Sequence, residues 1–213
     1  MTRVPEKNKA LRSTRPGGYH GTGPGGLSAD EFAKWYRDEM ARLWRGLDMR
    51  GISRVAALLL EARTKGRQVF IMGNGGSAAA ASHWAVDLSK TAEAKGKPRV
   101  KSIALTDNVP FISAVANDVS YDAAFEHQLE PLLKPKDLVV LITGSGNSPN
   151  LIRAARLAKR RGATTAGLLG FDGGKLGRMV DVPVLVPSEQ YGAIEDMHMS
   201  IGHILAFYLK QAR

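Results

Sequence analysis

Residues 68–90 read QVFIMGNGGSAAAASHWAVDLSK, and the change of texture along them sets how the whole chain is read. Val69, Phe70, Ile71 and Met72 form a continuous apolar run, the pattern of a strand buried on both faces of a parallel sheet. The run ends at Gly73-Asn74-Gly75-Gly76, a turn whose missing side chains let backbone N–H groups approach a ligand. Ser77 then stands where a helix N-cap is expected, so that a hydroxyl and unpaired amides meet at the positive end of a helix dipole. That combination predicts a phosphate site. Farther along the same helix, His83 and Asp87 are four residues apart and share a face. An imidazole and a carboxylate close to a bound phosphate ester point to acid–base chemistry or to a metal.

A second turn of the same kind follows the strand DLVVLI at 137–142. It reads Thr143-Gly144-Ser145-Gly146-Asn147-Ser148, and Pro149 suits the first position of the next helix. Either loop alone is an ordinary strand-to-helix turn. Two of them, offering Ser77, Thr143, Ser145 and Ser148 as neutral donors, predict a grip on a phosphate monoester that needs no lysine. Further strands are expected at 100–105, 164–169 and 182–186. Helices are expected at 29–47, opened by the capping box of Ser28 and Glu31, at 52–65, around 111–115, and at 121–133, 149–161 and 192–211. Strands alternating with helices predict an α/β three-layer sandwich, a five-stranded parallel sheet with helices on both faces and the ligand at the carboxyl ends of the strands.

With 213 residues, 44% of them hydrophobic, the chain can bury one core, and one domain is expected over 27–213. Residues 1–26 carry no periodic apolar pattern; Arg3, Lys7, Lys9, Arg12 and Arg15 face only Glu6, a net of +4. They read as a flexible basic arm, which accounts for part of the overall charge of +10, and no nucleic-acid partner is expected. The absence of an 18-residue apolar run and of an apolar signal-peptide core predicts a cytoplasmic protein with no membrane span. Without cysteine there are no disulfides, thiolate nucleophiles or Cys-ligated zinc.

Residues 73–78 also fit the G-x-G-x-x-A pattern of dinucleotide sites. The acidic residue that pattern requires, Asp107, comes 29 residues after Ala78, and the second serine loop has no part in such a scheme. No G-x-x-x-x-G-K-[ST] occurs, so no nucleotide cofactor is expected. In the last helix Glu195 and His198 are three apart on one face, with His203 about 80° around from Glu195. His198 reads equally as a core residue.

Four segments, GNGGSAAAASH, NDVSYD, DLVVLITGSGNSPN and EDMHMSIGHIL, resemble in order and spacing the sugar isomerase (SIS) domain family, and within it the phosphoheptose isomerases. The resemblance covers roughly residues 28–210. It implies a sugar-phosphate site at the ends of the sheet, completed by a neighbouring subunit of a homotetramer. Asn74, Gly75 and Ser77 in the first turn, with Thr143, Ser145 and Ser148 in the second, fall on phosphate- and sugar-binding positions of that family, and Asp118 matches an active-site aspartate. His83, Asp87, Glu195 and His203 fall on four positions that bind zinc in some members. The chain also departs from the family: Asp87 stands where a glutamate proposed as general base is usual, Glu195 where glutamine is usual, and Gly192 at an acidic position. The implied chemistry is aldose–ketose isomerisation of a seven-carbon sugar phosphate through a cis-enediol. Asp87, with Glu195, would carry the carbon-bound proton and His203 the oxygen protons. The alternatives are a non-catalytic SIS module that senses a sugar phosphate or acts as an adaptor of the replication-initiator-associated type, and an isomerase for a different sugar phosphate. Imidazole and carboxylate at all four chemical positions favour the enzyme.

Overall fold

A computed structural model describes residues 23–212 of the chain, so the expected arm lies outside the described residues up to residue 22. Strands β1 (Gln68–Gly73), β2 (Lys101–Ala104), β3 (Leu138–Thr143), β4 (Thr164–Leu169) and β5 (Val182–Leu185) pair throughout in parallel, in the order β2-β1-β3-β4-β5. The helices among the described residues are α1 (Ala29–Gly46), α2 (Met49–Lys65), α3 (Gly76–Val86), α4 (Val109–Asp118), α5 (Ala124–Leu129), α6 (Pro149–Arg160) and α7 (Tyr191–Gln211).

Because strand side chains alternate, each apolar strand feeds two cores. Val69 and Ile71 of β1, with Val140 and Ile142 of β3, face a core completed by Leu43, Val55, Leu59, Trp84, Ile201 and Leu205 from α1, α2, α3 and α7. Phe70 and Met72, with Val139 and Leu141, face the other core, where α5 and α6 supply Phe125, Leu129, Leu151 and Ala155. The three-layer α/β sandwich expected from the alternation is therefore the observed fold. The reversal of strand order falls between β1 and β3, whose carboxyl ends carry the two glycine–serine loops, and a crevice at that point is where an open α/β sheet binds its ligands.

Local chemistry explains the element boundaries. Ser28 and Glu31 form the capping box, with the Ser28 amide donating to Glu31 Oε2 at 2.8 Å. Helix α2 begins three residues before the expected start because Asp48 accepts from the Arg50 amide at 3.0 Å. The helix expected over 121–133 is instead a 3₁₀ turn, Tyr121–Ala123, followed by the six residues of α5. Pro131 has no N–H to donate to the carbonyl four residues back, so the ladder is interrupted there although Glu130 keeps helical angles. At the far end of α7, the buried Arg63 donates from Nη1 to the Leu209 carbonyl at 2.7 Å, tying a cation to the negative end of that helix.

Candidate active site

At the end of β1 the chain closes so tightly that a Cβ on Gly73 would lie 2.5 Å from the Ser77 carbonyl oxygen. Gly75, with φ 57° and ψ −125°, adopts a conformation that residues with side chains rarely reach, and it is the N-cap of α3. The expectation for Ser77 is corrected here. Helical geometry starts at Gly76, so Ser77 sits inside the first turn, 5% exposed, and the cap itself has no side chain. The Ala78 and Ala79 amides donate to the Gly75 carbonyl at 2.9 and 3.2 Å, which leaves those of Gly76 and Ser77 as the first-turn amides without an intrahelical partner. No hydrogen bond engages the Ser77 hydroxyl among the described residues.

In the second loop the hydroxyls differ in employment. Thr143 is buried and accepts from the Gly146 amide at 3.3 Å, and Ser145 Oγ accepts from the Asn147 amide at 3.3 Å. Ser148 occupies the N-cap of α6, but its side chain makes no capping bond, while Pro149 takes the first helical position as expected. The loop is backed by residues 170–178: Gly146 packs against the Gly173 carbonyl and Gly174 against the Ser145 carbonyl, each at a distance that a side chain would not permit. The first loop is tied to the start of α6 by a reciprocal amide pair. Asn74 Nδ2 donates to Asn150 Oδ1 at 3.0 Å and Asn150 Nδ2 returns to Asn74 Oδ1 at 2.9 Å, which also accepts from the Tyr121 hydroxyl at 2.8 Å. The Asn74 amide is thus engaged by the scaffold. Asn150 and Tyr121 are partners that sequence reading missed, since nothing in the order of residues announces a contact between loops 76 residues apart.

The titratable cluster lies where α3 crosses α7. A side chain on Gly202 would overlap the indole of Trp84, so the two helices approach here as closely as a ring allows, and Trp84 Nε1 donates to the His198 carbonyl at 3.1 Å. Their neighbours in sequence, His83 and His203, meet as a result, with Nε2 atoms 3.1 Å apart. Asp87 Oδ2 lies 3.3 Å from His83 Nε2 and 3.6 Å from His203 Nε2. Both imidazoles are about half exposed, at 45% and 46% of their side chains, whereas Asp87 is mostly covered at 14%. The site is open on the histidine side. Asp87 stands at the junction where α3 widens into a π-helical turn, Asp87–Thr91, a distortion frequent at functional sites.

Glu195 stands apart from this trio. Its carboxylate lies over Gly76 at the start of α3, in a space that any side chain on residue 76 would fill. Burial, and after it the charge of Asp196, pushes the Glu195 carboxyl up from its ordinary value. Tyr36 of α1 donates to Asp196 Oδ2 at 2.7 Å, and burial together with that acidic neighbour raises the phenol. His198 is a core residue, fully buried, with no well-formed side-chain hydrogen bond; burial lowers its pKa to about 4 despite the nearby Leu169 carbonyl. Asp118 closes α4, is exposed, and accepts only from Asn117 Nδ2, at 2.8 Å, among the described residues. The structure thus brings His83, Asp87 and His203 together and sets Glu195 beside the first loop. It leaves Asp118 at the surface.

Two glycine–serine loops at the strand ends, with an imidazole–carboxylate cluster farther along α3, make up the candidate site, and the chain can now be set beside known proteins. The family model for the SIS domain matches residues 35–170. A phosphoheptose isomerase of Trichlorobacter lovleyi is 37% identical over 160 residues, covering 75% of this chain and 81% of the relative. A probable phosphoheptose isomerase of Thermoplasma acidophilum is 39% identical over 173 residues, covering 81% and 94%. Among solved structures, the phosphoheptose isomerase GmhA of Neisseria gonorrhoeae superposes with a TM-score of 0.77 at 29% identity, covering 86% of this chain and 97% of that one. The Francisella tularensis phosphoheptose isomerase gives 0.80 at 28% identity, covering 87% and 100%. The chain belongs to the SIS domain family and to its isomerase branch. Its relatives support a heptose-phosphate isomerase activity in the broad sense.

Proposed function

We propose that this chain interconverts sedoheptulose 7-phosphate and D-glycero-D-manno-heptose 7-phosphate by proton transfer through an enediol. The observation that carries the reading is the meeting of His83 and Asp87, on the helix that opens at the first glycine–serine loop, with His203, 120 residues from His83. The amides opening α3 and the hydroxyls of Ser77, Ser145 and Ser148 would hold the phosphate, which aligns the far end of the sugar. Of the two carboxylates, Glu195 suits the carbon-bound proton. It makes no hydrogen bond among the described residues, and burial, with the charge of Asp196 after it, raises its proton affinity above the ordinary value. Asp87 is held by the histidines, and His203, half exposed, would move the oxygen protons.

The trio also fits a divalent cation. Two imidazole nitrogens and a carboxylate oxygen, all within 4.8 Å of one another, are a zinc-like donor set with room for further ligands. A cation held by His83, Asp87 and His203 would supply Lewis-acid polarisation of the carbonyl when bound. In this reading Glu195, set over Gly76 and apart from the trio, is the base and not a fourth ligand. The enzyme would act in the cytoplasm as a homotetramer with sites at subunit interfaces. Ile204, Phe207 and Tyr208 support this by forming an exposed apolar strip on α7 next to His203, and the outward Asp118 would reach a neighbouring copy.

NMR of sedoheptulose 7-phosphate incubated with the protein in deuterated water tests the reading. Deuterium should enter at the carbon next to the carbonyl as the aldose appears. His203→Ala should lower the rate by about 10²-fold or more with the fold intact, since removing a positioned acid–base group costs that much. A fully active variant would refute the assignment.

A further inference from the structure

The two carboxylate oxygens of Asp87 have different surroundings. Oδ2 faces the paired imidazoles, while Oδ1 accepts from Thr91 Oγ1 at 2.9 Å. A threonine hydroxyl in a helix ordinarily turns back to the carbonyl four residues earlier, and for Thr91 that carbonyl belongs to Asp87 itself. Here the carbonyl is taken by the Ala92 amide at 2.8 Å, because the helix has widened into its π-helical turn. The hydroxyl goes to the side chain instead. Ser89, in the same turn, does not compete: its hydroxyl returns to the carbonyls of Ala85 at 2.8 Å and Val86 at 3.3 Å. Thr91 is half-buried and Asp87 mostly covered, so water is a poor substitute for this bond.

We propose that Thr91 is a positioning residue of the site, fixing the Asp87 carboxylate so that one oxygen is always presented to His83 and His203. The π-helical turn is the device that frees its hydroxyl for the task. The proposal rests on the reading of the trio as the working cluster. It extends that reading to a residue that touches neither histidine in the described hydrogen bonds. The chemistry is that of an outer-shell hydrogen bond to a ligating carboxylate, whose loss costs ~10–100-fold in metal affinity or activity.

Two variants of the full chain separate donor from shape. Thr91→Val keeps the branched side chain and removes the hydroxyl; Thr91→Ser keeps the hydroxyl. Affinity for Co(II), measured by competition against a chromophoric chelator, should fall ~10–100-fold in Thr91→Val and return to within ~3-fold of the unaltered chain in Thr91→Ser. In parallel, nitrogen-15 spectra of the imidazoles of the metal-free protein at fixed pH should show His83 and His203 displaced in Thr91→Val and restored in Thr91→Ser. Unmoved imidazole resonances in a folded Thr91→Val protein would overturn the proposal, whatever the cobalt result. Failure of the unaltered chain to bind cobalt would remove the cation reading alone, and the imidazole spectra would still decide the role of Thr91.

Discussion

Gly76 is the residue on which the placement of Glu195 turns. Its backbone is not in the left-handed region, so an alanine there meets no conformational penalty, yet the new Cβ would occupy the space of the Glu195 carboxylate. The obstructing atoms end a flexible side chain, which can swing away cheaply. Gly76→Ala is therefore expected to leave the melting temperature within a few degrees of the unaltered chain while lowering kcat by about 10²-fold, the cost of displacing a reacting group by ~1 Å. A calorimetric scan paired with initial rates checks this, and retained activity would take the base assignment away from Glu195. Such residue-scale facts were only partly legible in the sequence. His83 and Asp87 could be paired by their spacing alone, because four residues make one helical face. His203, Glu195 and Asp118 were nominated by resemblance. Thr91, Asn150 and Tyr121 carried no signal, since a hydroxyl or amide declares its partner only once distant segments have been brought together.

At the scale of elements, the crossing of α3 and α7 makes the cluster, and Gly202 makes the crossing. A methyl group at 202 would overlap the Trp84 indole, which is fully buried and tied to the His198 carbonyl, and neither partner can move aside freely. Gly202→Ala should destabilise the protein by ~1–3 kcal/mol through overpacking and also separate His83 from His203. Unfolding by guanidinium and an isomerase assay on the same preparation should show both losses. A variant of unaltered stability would mean the helices part without consequence. The elements themselves were largely readable: β4 matches its expected bounds, and the capping box at Ser28 and Pro149 at the start of α6 were found where their chemistry put them. The π-helical turn was not, because widening by one residue depends on tertiary contacts and leaves the apolar pattern unaltered. The early end of α5 is legible in Pro131, whose missing N–H interrupts the helical ladder within the span 121–133.

For the molecule as a whole, the alternation of strands and helices told of a parallel sheet covered on both faces. The strand order was beyond it, because order is a matter of which edges pair. Global stability should carry the mark of His198, which has no exposed surface. Below its ordinary value of 6.5 the unfolded chain takes up a proton that the folded chain refuses until about pH 4. Stability from this residue is therefore complete above pH 6.5 and is lost as the pH falls toward 4, by roughly 3 kcal/mol in all. Denaturation midpoints for the unaltered chain and His198→Leu between pH 7.5 and 4.5 should diverge, with the variant falling less steeply. Parallel slopes would mean His198 takes up its proton while folded.

The Asn74–Asn150 clasp has a consequence for how the enzyme meets its surroundings. Both amides are neutral and each donates to the other, so the tie between the end of β1 and the start of α6 carries no charge for acid to remove or for salt to screen.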